Sequence, residues 1–216
     1  MKIGLTQRVD VLADRDERRD ALDQAWAQVV LHAGFVPVPL PNQPGHAGRL
    51  VGALGLDGVI FTGGNDLADV PGATGVAPQR DAFERELLEH CIERRLPVLG
   101  VCRGMQFVVR HFGGRLAATE GHVRVPHPII PRPSNMPTLP RAEVNSFHRF
   151  VARAEHLPGE LVVAGMAPDG GVEAVVHRTL PIWAIMWHPE RPIRPGGSRD
   201  ERDVVILRTL FGGGHA

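Results

Sequence analysis

Residues 97–109, "PVLGVCRGMQFVV", decide how the chain is read. Val98 to Val101 form a short apolar run with the make-up of a buried strand. "MQFVVRHFGG" behind it carries helical spacing up to a glycine stop. Cys102 sits at the junction, with Gly100 and Gly104 two residues to either side. Gly-x-Cys-x-Gly is the pattern of a nucleophile elbow, a strained strand-to-helix turn whose glycines relieve crowding where backbone passes close by. The helix that follows aims its first N–H groups and the positive end of its dipole at the thiol, which favours thiolate. Arg103 adds a positive charge next to it. Two plainer explanations compete, since free cysteines commonly serve as small buried hydrophobes and Gly-rich strand-to-helix turns also bind phosphates.

Outward from the elbow, strands and helices alternate. "KIGLTQ" reads as a strand, and "RRDALDQAWAQVVLHAG" as a helix with Ala21, Leu22, Ala25, Trp26, Val29 and Val30 on one stripe. "FVPVPL" is a strand near a sheet edge, because Pro37 and Pro39 cannot donate to a ladder. "HAGRLVGALGL" is a short helix, "DGVIFTGG" a buried strand running into a turn, and "RDAFERELLEHCIERR" a helix with Phe83, Leu87, Leu88, Cys91 and Ile92 on its apolar stripe. The rhythm predicts an α/β fold, a flavodoxin-like, doubly wound, mostly parallel sheet with helices on both faces. "FTGGND" and "GVCRG" then fall at strand C-termini, where such sheets bind ligands. Six prolines between residues 126 and 140 predict a long irregular excursion of the kind that can serve as a lid. "AEVNSFHRF", "LVVAGMA", "GVEAVVH" and "PIWAIMWH" follow as strand-like pieces, and "DERDVVILRTLFGG" as a last helix. No linker composition interrupts residues 1–216, so a single domain is expected.

Bulk properties narrow the function. The 216 residues are 43% hydrophobic and 22% charged, with 24 basic and 24 acidic side chains, so no net charge argues for nucleic acid or a membrane surface. No apolar run approaches the ~20 residues of a membrane span, and "MKIGLTQRVD" lacks a secretory signal. Cys91 and Cys102 fall on separate elements, which predicts free thiols and a reducing, cytoplasmic setting. The 11 histidines include no HExxH or His-x-His cluster; His122 and His127 in "HVRVPH" come nearest and make a poor metal site, so no metal and no cofactor is expected.

A thiolate nucleophile needs a proton shuttle and a group to orient it. "IWAIMWHPER" offers both: His188 at the end of an apolar strand, then Glu190, with Pro189 restricting the backbone between them. An oxyanion needs N–H donors, which the backbone of Arg103 and of Gly63 or Gly64 in "FTGGND" can supply.

With these residues in place, the chain resembles the class I glutamine amidotransferase-like hydrolases, which share the "GVCRGMQ" elbow and the "WHPE" terminus. "FTGGND", "VNSFH" and "APDGGVEAV" are similar to the γ-glutamyl hydrolase branch, the γ-glutamyl-GABA hydrolases among it. "GLTQR", "ALDQAW", "NSFH" and "MWHPER" look like bacterial γ-glutamyl-CDP-amidate hydrolases, which act in making phosphoramidate-decorated surface polysaccharide. The resemblance implies a Cys102, His188, Glu190 triad that cleaves a γ-glutamyl amide through a γ-glutamyl thioester. It also implies an oxyanion hole at Gly64 and Arg103, and substrate contacts from Gln106, Asn145, Ser146, Phe147 and His148. If the departing group carries a diphosphate, Arg8, Arg103 and Arg191 are the candidates to hold it, and Trp26 or Trp187 could stack on a base, although core packing is the safer assignment for both. The expected partner is a small γ-glutamyl compound. A glutaminase subunit serving a partner synthetase is the alternative, a homodimer stays open, and a catalytically silent or redox-sensing relative would be expected to lack the His–Glu pair.

Overall fold

The computed structural model describes residues 1–136, 143–194, 196–197 and 201–213. The first half contains β1 (Lys2–Leu5), β2 (Arg8–Leu12), β3 (Glu17–Ala21), α1 (Gln24–His32), β4 (Val36–Pro39), α2 (Ala47–Leu54), β5 (Gly58–Phe61), α3 (Pro78–Glu93), β6 (Val98–Val101) and α4 (Arg103–His111). The second half contains β7 (Leu116–Ala118), β8 (His127–Pro128), β9 (Ile130–Pro131), β10 (Glu143–Val144), β11 (Phe150–Arg153), β12 (Leu161–Met166), β13 (Gly171–His177), β14 (Ile182–Ile185) and α5 (Glu201–Gly212).

The main sheet runs β4-β1-β5-β6-β14-β13-β11-β7. Its first five strands are parallel, and β13, β11 and β7 continue it antiparallel, with β12 and β9 paired beside β13. Side chains alternate between faces at a period of two, and the central strands obey this. Val59 and Phe61 join one core cluster while Ile60 joins the other, and Ile182 and Ala184 face opposite Trp183 and Ile185. One cluster packs α1 and α5 against the sheet, and the second packs α2, α3 and α4 on the far side. β1 lies between the later strands β4 and β5, so the winding reverses there and leaves the ligand crevice expected of a doubly wound sheet. Among the described residues no helix is long and apolar enough to cross a membrane.

The structure departs from the sequence-based expectation in three places. Residues 18–21 are not the first turn of a helix but belong to β3, the second strand of a β2–β3 hairpin. The helix begins after Asp23, whose carboxylate caps it by accepting from Ala25 N at 3.0 Å. The Pro-rich excursion is stitched down at its start, where β8 pairs with β10 and β9 with β12; its later residues, 137–142, fall outside the described ones. "NSFH" is not a continuous strand, and Phe147 makes an isolated bridge to Val123.

The elbow between β6 and α4 depends on close backbone approach. Cys102 has φ 53° and ψ −106°, a conformation that costs an L-residue about 1–3 kcal/mol. A Cβ on Gly104 would lie 2.0 Å from the Phe61 carbonyl oxygen, and one on Gly100 would lie 2.7 Å from the Gly104 oxygen. Below the turn lies a buried ion network that an apolar-stripe reading of α3 leaves out. Arg80 and Glu84 share the stripe of Phe83, Leu87 and Cys91, and neither side chain is exposed at all. Arg80 Nε bonds Glu84 Oε1 at 2.8 Å, and the Arg103 guanidinium pairs with Glu84 and Asp81. Burial, with Arg103 adding to it, lowers the Arg80 pKa to about 10, so it stays charged at neutral pH. Burial alone would raise the Glu84 carboxyl, but Arg103 and Arg80 outweigh it and hold the pKa below the ordinary value.

Replacing Gly104 by Ala is expected to destabilise by about 3 kcal/mol, because the obstacle is backbone and cannot swing aside; the midpoint of urea unfolding reads this. Glu84→Gln is expected to cost about 3–5 kcal/mol, since two buried guanidiniums lose their counter-charge. Its second signature lies in acid. A depressed folded-state pKa contributes stability that is present above the unfolded carboxylate pKa of about 4.3 and disappears as pH falls, and unfolding of the variant should lose that part of the pH dependence.

Candidate active site

Three parallel strands end at one rim of the sheet and carry the candidate residues. β5 leads into Thr62-Gly63-Gly64, β6 into Cys102, and β14 into His188 and Glu190. Pro189 joins the last two, and His188 Nδ1 lies 2.7 Å from Glu190 Oε1 in a buried pair. The other ring nitrogen, Nε2, is buried with no partner in hydrogen-bond geometry. His188 also borders the elbow: a Cβ on Gly63 would be 2.9 Å from His188 Cε1 and 3.7 Å from Cys102 Cβ, so glycine is what lets the two side chains share this space. Burial by itself lowers the His188 pKa, but Glu190 and Cys102 beside it outweigh burial and raise it to about 10. The pair thus favours the protonated ring. Cys91, by contrast, lies in the α3 core, where burial pushes its thiol up to about 12. Both thiols are free.

Gly64 adopts φ +107°, and a Cβ there would be 2.6 Å from Arg8 Cβ. Arg80 reaches the same loop from below, its Nη2 bonding the Thr62 carbonyl at 2.8 Å and its Nη1 the Gly63 carbonyl at 2.9 Å. In a trans peptide the N–H points opposite the carbonyl. By gripping the Gly63 oxygen, Arg80 turns the Gly64 N–H away from α3. At the elbow, the first N–H groups of α4 have no intrahelical acceptor, and that of Arg103 is the foremost.

The remaining candidates fall in different places. The Arg103 guanidinium points into the ion network and not toward the crevice, which removes it as a phosphate contact and leaves its backbone at the site. Gln106 donates to the Phe150 carbonyl at 3.0 Å from a buried position. Asn145 binds the loop of His188 and not open space: its Nδ2 donates to the carbonyls of His188 (2.9 Å) and Arg191 (3.1 Å), and its Oδ1 accepts from His188 N at 2.8 Å. Ser146 Oγ donates to the His122 carbonyl at 2.6 Å, and His148 Nδ1 meets the Phe150 carbonyl at 3.1 Å. Of this quartet Phe147 presents its ring at the site, perpendicular to the His188 ring with centroids 5.5 Å apart and with the Arg191 guanidinium 5.0 Å from the ring centre. Trp26 and Trp187 are core residues, the latter donating to Asp203 at 2.8 Å.

A small cleft of about 60 Å³ opens beside His188, lined by Arg8, Trp26, Gly63, Gly64, Glu190 and Arg191. Arg8 and Arg191 are the cations at its mouth; Arg8 Nε pairs with Asp10 at 2.7 Å, and Arg191 lies 3.5 Å from Glu190. A wider cleft of about 610 Å³ is lined by Arg124, Asn145, Ser146, Phe147 and Arg194. Sequence reasoning misses the roles of Arg80 and Asn145. For Arg80 a signal exists, a charge on an apolar stripe four residues from an opposite charge.

Known proteins resemble this chain over most of its length. A γ-glutamyl-CDP-amidate hydrolase of Campylobacter jejuni is 31% identical over 88% of this chain and 90% of its own. A γ-glutamyl-γ-aminobutyrate hydrolase of Escherichia coli O157:H7 is 29% identical over 89% and 84%. A solved GMP synthase component from Thermoplasma acidophilum superposes with a TM-score of 0.73 over 98% of this chain and 92% of its own; at 21% identity it speaks for the fold alone. Residues 3–127 and 132–190 match the peptidase C26 family, and this chain belongs to that family, within the class I glutamine amidotransferase-like hydrolases.

Proposed function

We propose that the chain hydrolyses the γ-glutamyl amide bond of a small γ-glutamyl compound through a thioester on Cys102. The observation that carries this reading is the buried His188–Glu190 pair at 2.7 Å, held against an elbow cysteine at φ 53°. In the proposed course the Cys102 sulfur attacks the γ-carbonyl carbon, and the Gly64 and Arg103 N–H groups receive the oxyanion. His188, kept protonated by Glu190, gives its proton to the departing nitrogen as the C–N bond breaks. A water then loses a proton to His188 and attacks the thioester, the C–S bond breaks, and glutamate leaves with the thiolate–imidazolium pair restored.

The departing amine is read from the cleft. Arg8 and Arg191 flank it, and guanidinium forks suit phosphate oxygens. Together with the Campylobacter relative this favours a nucleotide-linked phosphoramidate, with γ-glutamyl-CDP-amidate as the specific candidate substrate; the resemblance of the sequence motifs adds surface polysaccharide assembly as the proposed setting. Gln106 and the backbone of Asn145 to His148 would then border the glutamyl moiety. A thiolate nucleophile works in a reducing compartment, so the cytoplasm is the proposed location, and residues 1–216 are taken as a single catalytic domain.

Cys102→Ala is expected to lower hydrolysis by at least about 10⁴-fold with an unchanged unfolding midpoint, and a glutamine-like diazoketone should label Cys102 by mass spectrometry; full turnover in the variant ends the proposal. A panel of glutamine, γ-glutamyl-GABA, γ-glutamyl peptides and nucleotide-linked γ-glutamyl amidates should show preference for the last. Strong preference for glutamine, rising when a synthetase is added, would instead mark a glutaminase subunit. Glu190→Gln removes the anion that stabilises the imidazolium. The basic limb of the kcat/KM profile should therefore move to lower pH, with a rate loss of about 10²–10⁴-fold.

A further inference from the structure

Behind the segment that holds His188 lies a second cluster of ligating groups. His122 follows β7, His127 lies in β8, His148 precedes β11, and Glu173 is in β13. Their inner atoms, one nitrogen from each ring and one carboxylate oxygen, all lie within 4.8 Å of one another. Glu173 Oε1 is 3.8 Å from His122 Nδ1, 3.7 Å from His127 Nε2 and 3.4 Å from His148 Nε2. The Glu173 and His148 side chains are 0% and 1% exposed, His122 7% and His127 12%. None of these inner atoms, nor Glu173 Oε2, has a hydrogen-bond partner, a costly state for a buried carboxylate and three imidazoles.

The outer nitrogens explain which form each ring takes. His122 Nε2 bonds Asp169 Oδ2 at 3.1 Å, His148 Nδ1 the Phe150 carbonyl at 3.1 Å, and His127 Nδ1 the Pro128 carbonyl at 3.4 Å. Each outer partner is an acceptor, so each ring donates its proton outward and turns a lone pair inward. Three lone pairs and a carboxylate converge on one point, and what belongs there is positive. A proton can serve one ring at a time and would leave two lone pairs facing the carboxylate; a divalent ion serves all four.

We propose that His122, His127, His148 and Glu173 bind one zinc ion in a closed tetrahedral site. Zn–N and Zn–O bonds of about 2.0–2.2 Å put tetrahedral ligands about 3.3–3.5 Å apart, which the carboxylate-to-imidazole distances approach within a few tenths of an ångström. Three imidazoles with one carboxylate suit zinc and not magnesium or calcium, which take oxygen ligands. Asp169 and the two carbonyls are the outer partners that orient ligating histidines in such centres. With all four positions filled by protein the ion is structural. It ties the loop after β7, the strand β13 and the segment 145–148 into one block, and Asn145 in that segment carries the His188 loop.

The test uses the full chain purified without a histidine tag. Metal analysis after dialysis in buffered zinc should give one zinc per chain, and cobalt(II) added to the chelator-stripped protein should give the intense visible bands of tetrahedral cobalt. His148→Ala should lose the ion. Asp169→Asn, which leaves all four ligands, should weaken zinc binding by about 10–100-fold and guards against a His148 variant that fails to fold. Cys102→Ala should keep the full complement, so the result does not depend on the catalytic reading. A folded wild-type chain that retains no zinc overturns the proposal, as does zinc that survives both His148→Ala and Asp169→Asn or is lost with Cys102.

Discussion

The backbone of Cys102 is the constraint on which the rest of the molecule turns. A positive φ at a side chain other than glycine persists only where the surroundings leave no alternative, and here they are identifiable. Gly100 and Gly104 let β6, β5 and α4 approach to within contact of bare backbone. Under them the Arg80–Glu84–Arg103 network locks α3 to the first turn of α4. Such a network adds little net stability compared with a well-packed apolar core, but it holds geometry, because a misplaced partner leaves a bare charge in the interior.

Much of this frame can be read directly from residues. The unbroken apolar run Val59, Ile60 and Phe61 announces a strand buried on both faces, and the glycine spacing around Cys102 announces the turn. His188 is legible as a polar residue closing the apolar run of β14. Other parts resist for physical reasons. The β2–β3 hairpin escapes because "ERRDA" has no apolar alternation and its spacing runs on into α1, so only the Asp23 cap separates them. Arg80 and Glu84 are hidden because charges on a helix are ordinarily solvated. Asn145 belongs near the site on either reading, yet its role is structural, and nothing in "VNSFH" reveals that its amide meets the backbone of a strand end more than forty residues later.

The segment 145–148 shows how alternating side chains can serve two structures at once. Asn145 and Phe147 turn to the His188 loop, whereas Ser146 and His148 turn to His122 and Glu173. Four consecutive residues thus form a partition, with the His188 loop on one side and the His122–Glu173 cluster on the other.

Arg80 has a consequence for what the crevice can accommodate. A fully buried cation holds the Gly63 carbonyl, and with it sets the direction of the Gly64 N–H in the same peptide plane. The floor of the crevice is thus built on buried polar contacts, whereas at its mouth half-exposed Arg8 is held by a surface ion pair of small energetic weight and Arg191 by contacts to exposed Asp23 and buried Glu190. A change at the mouth would come most cheaply at Arg8, whose ion pair is with half-exposed Asp10, because Arg191 also reaches the buried Glu190.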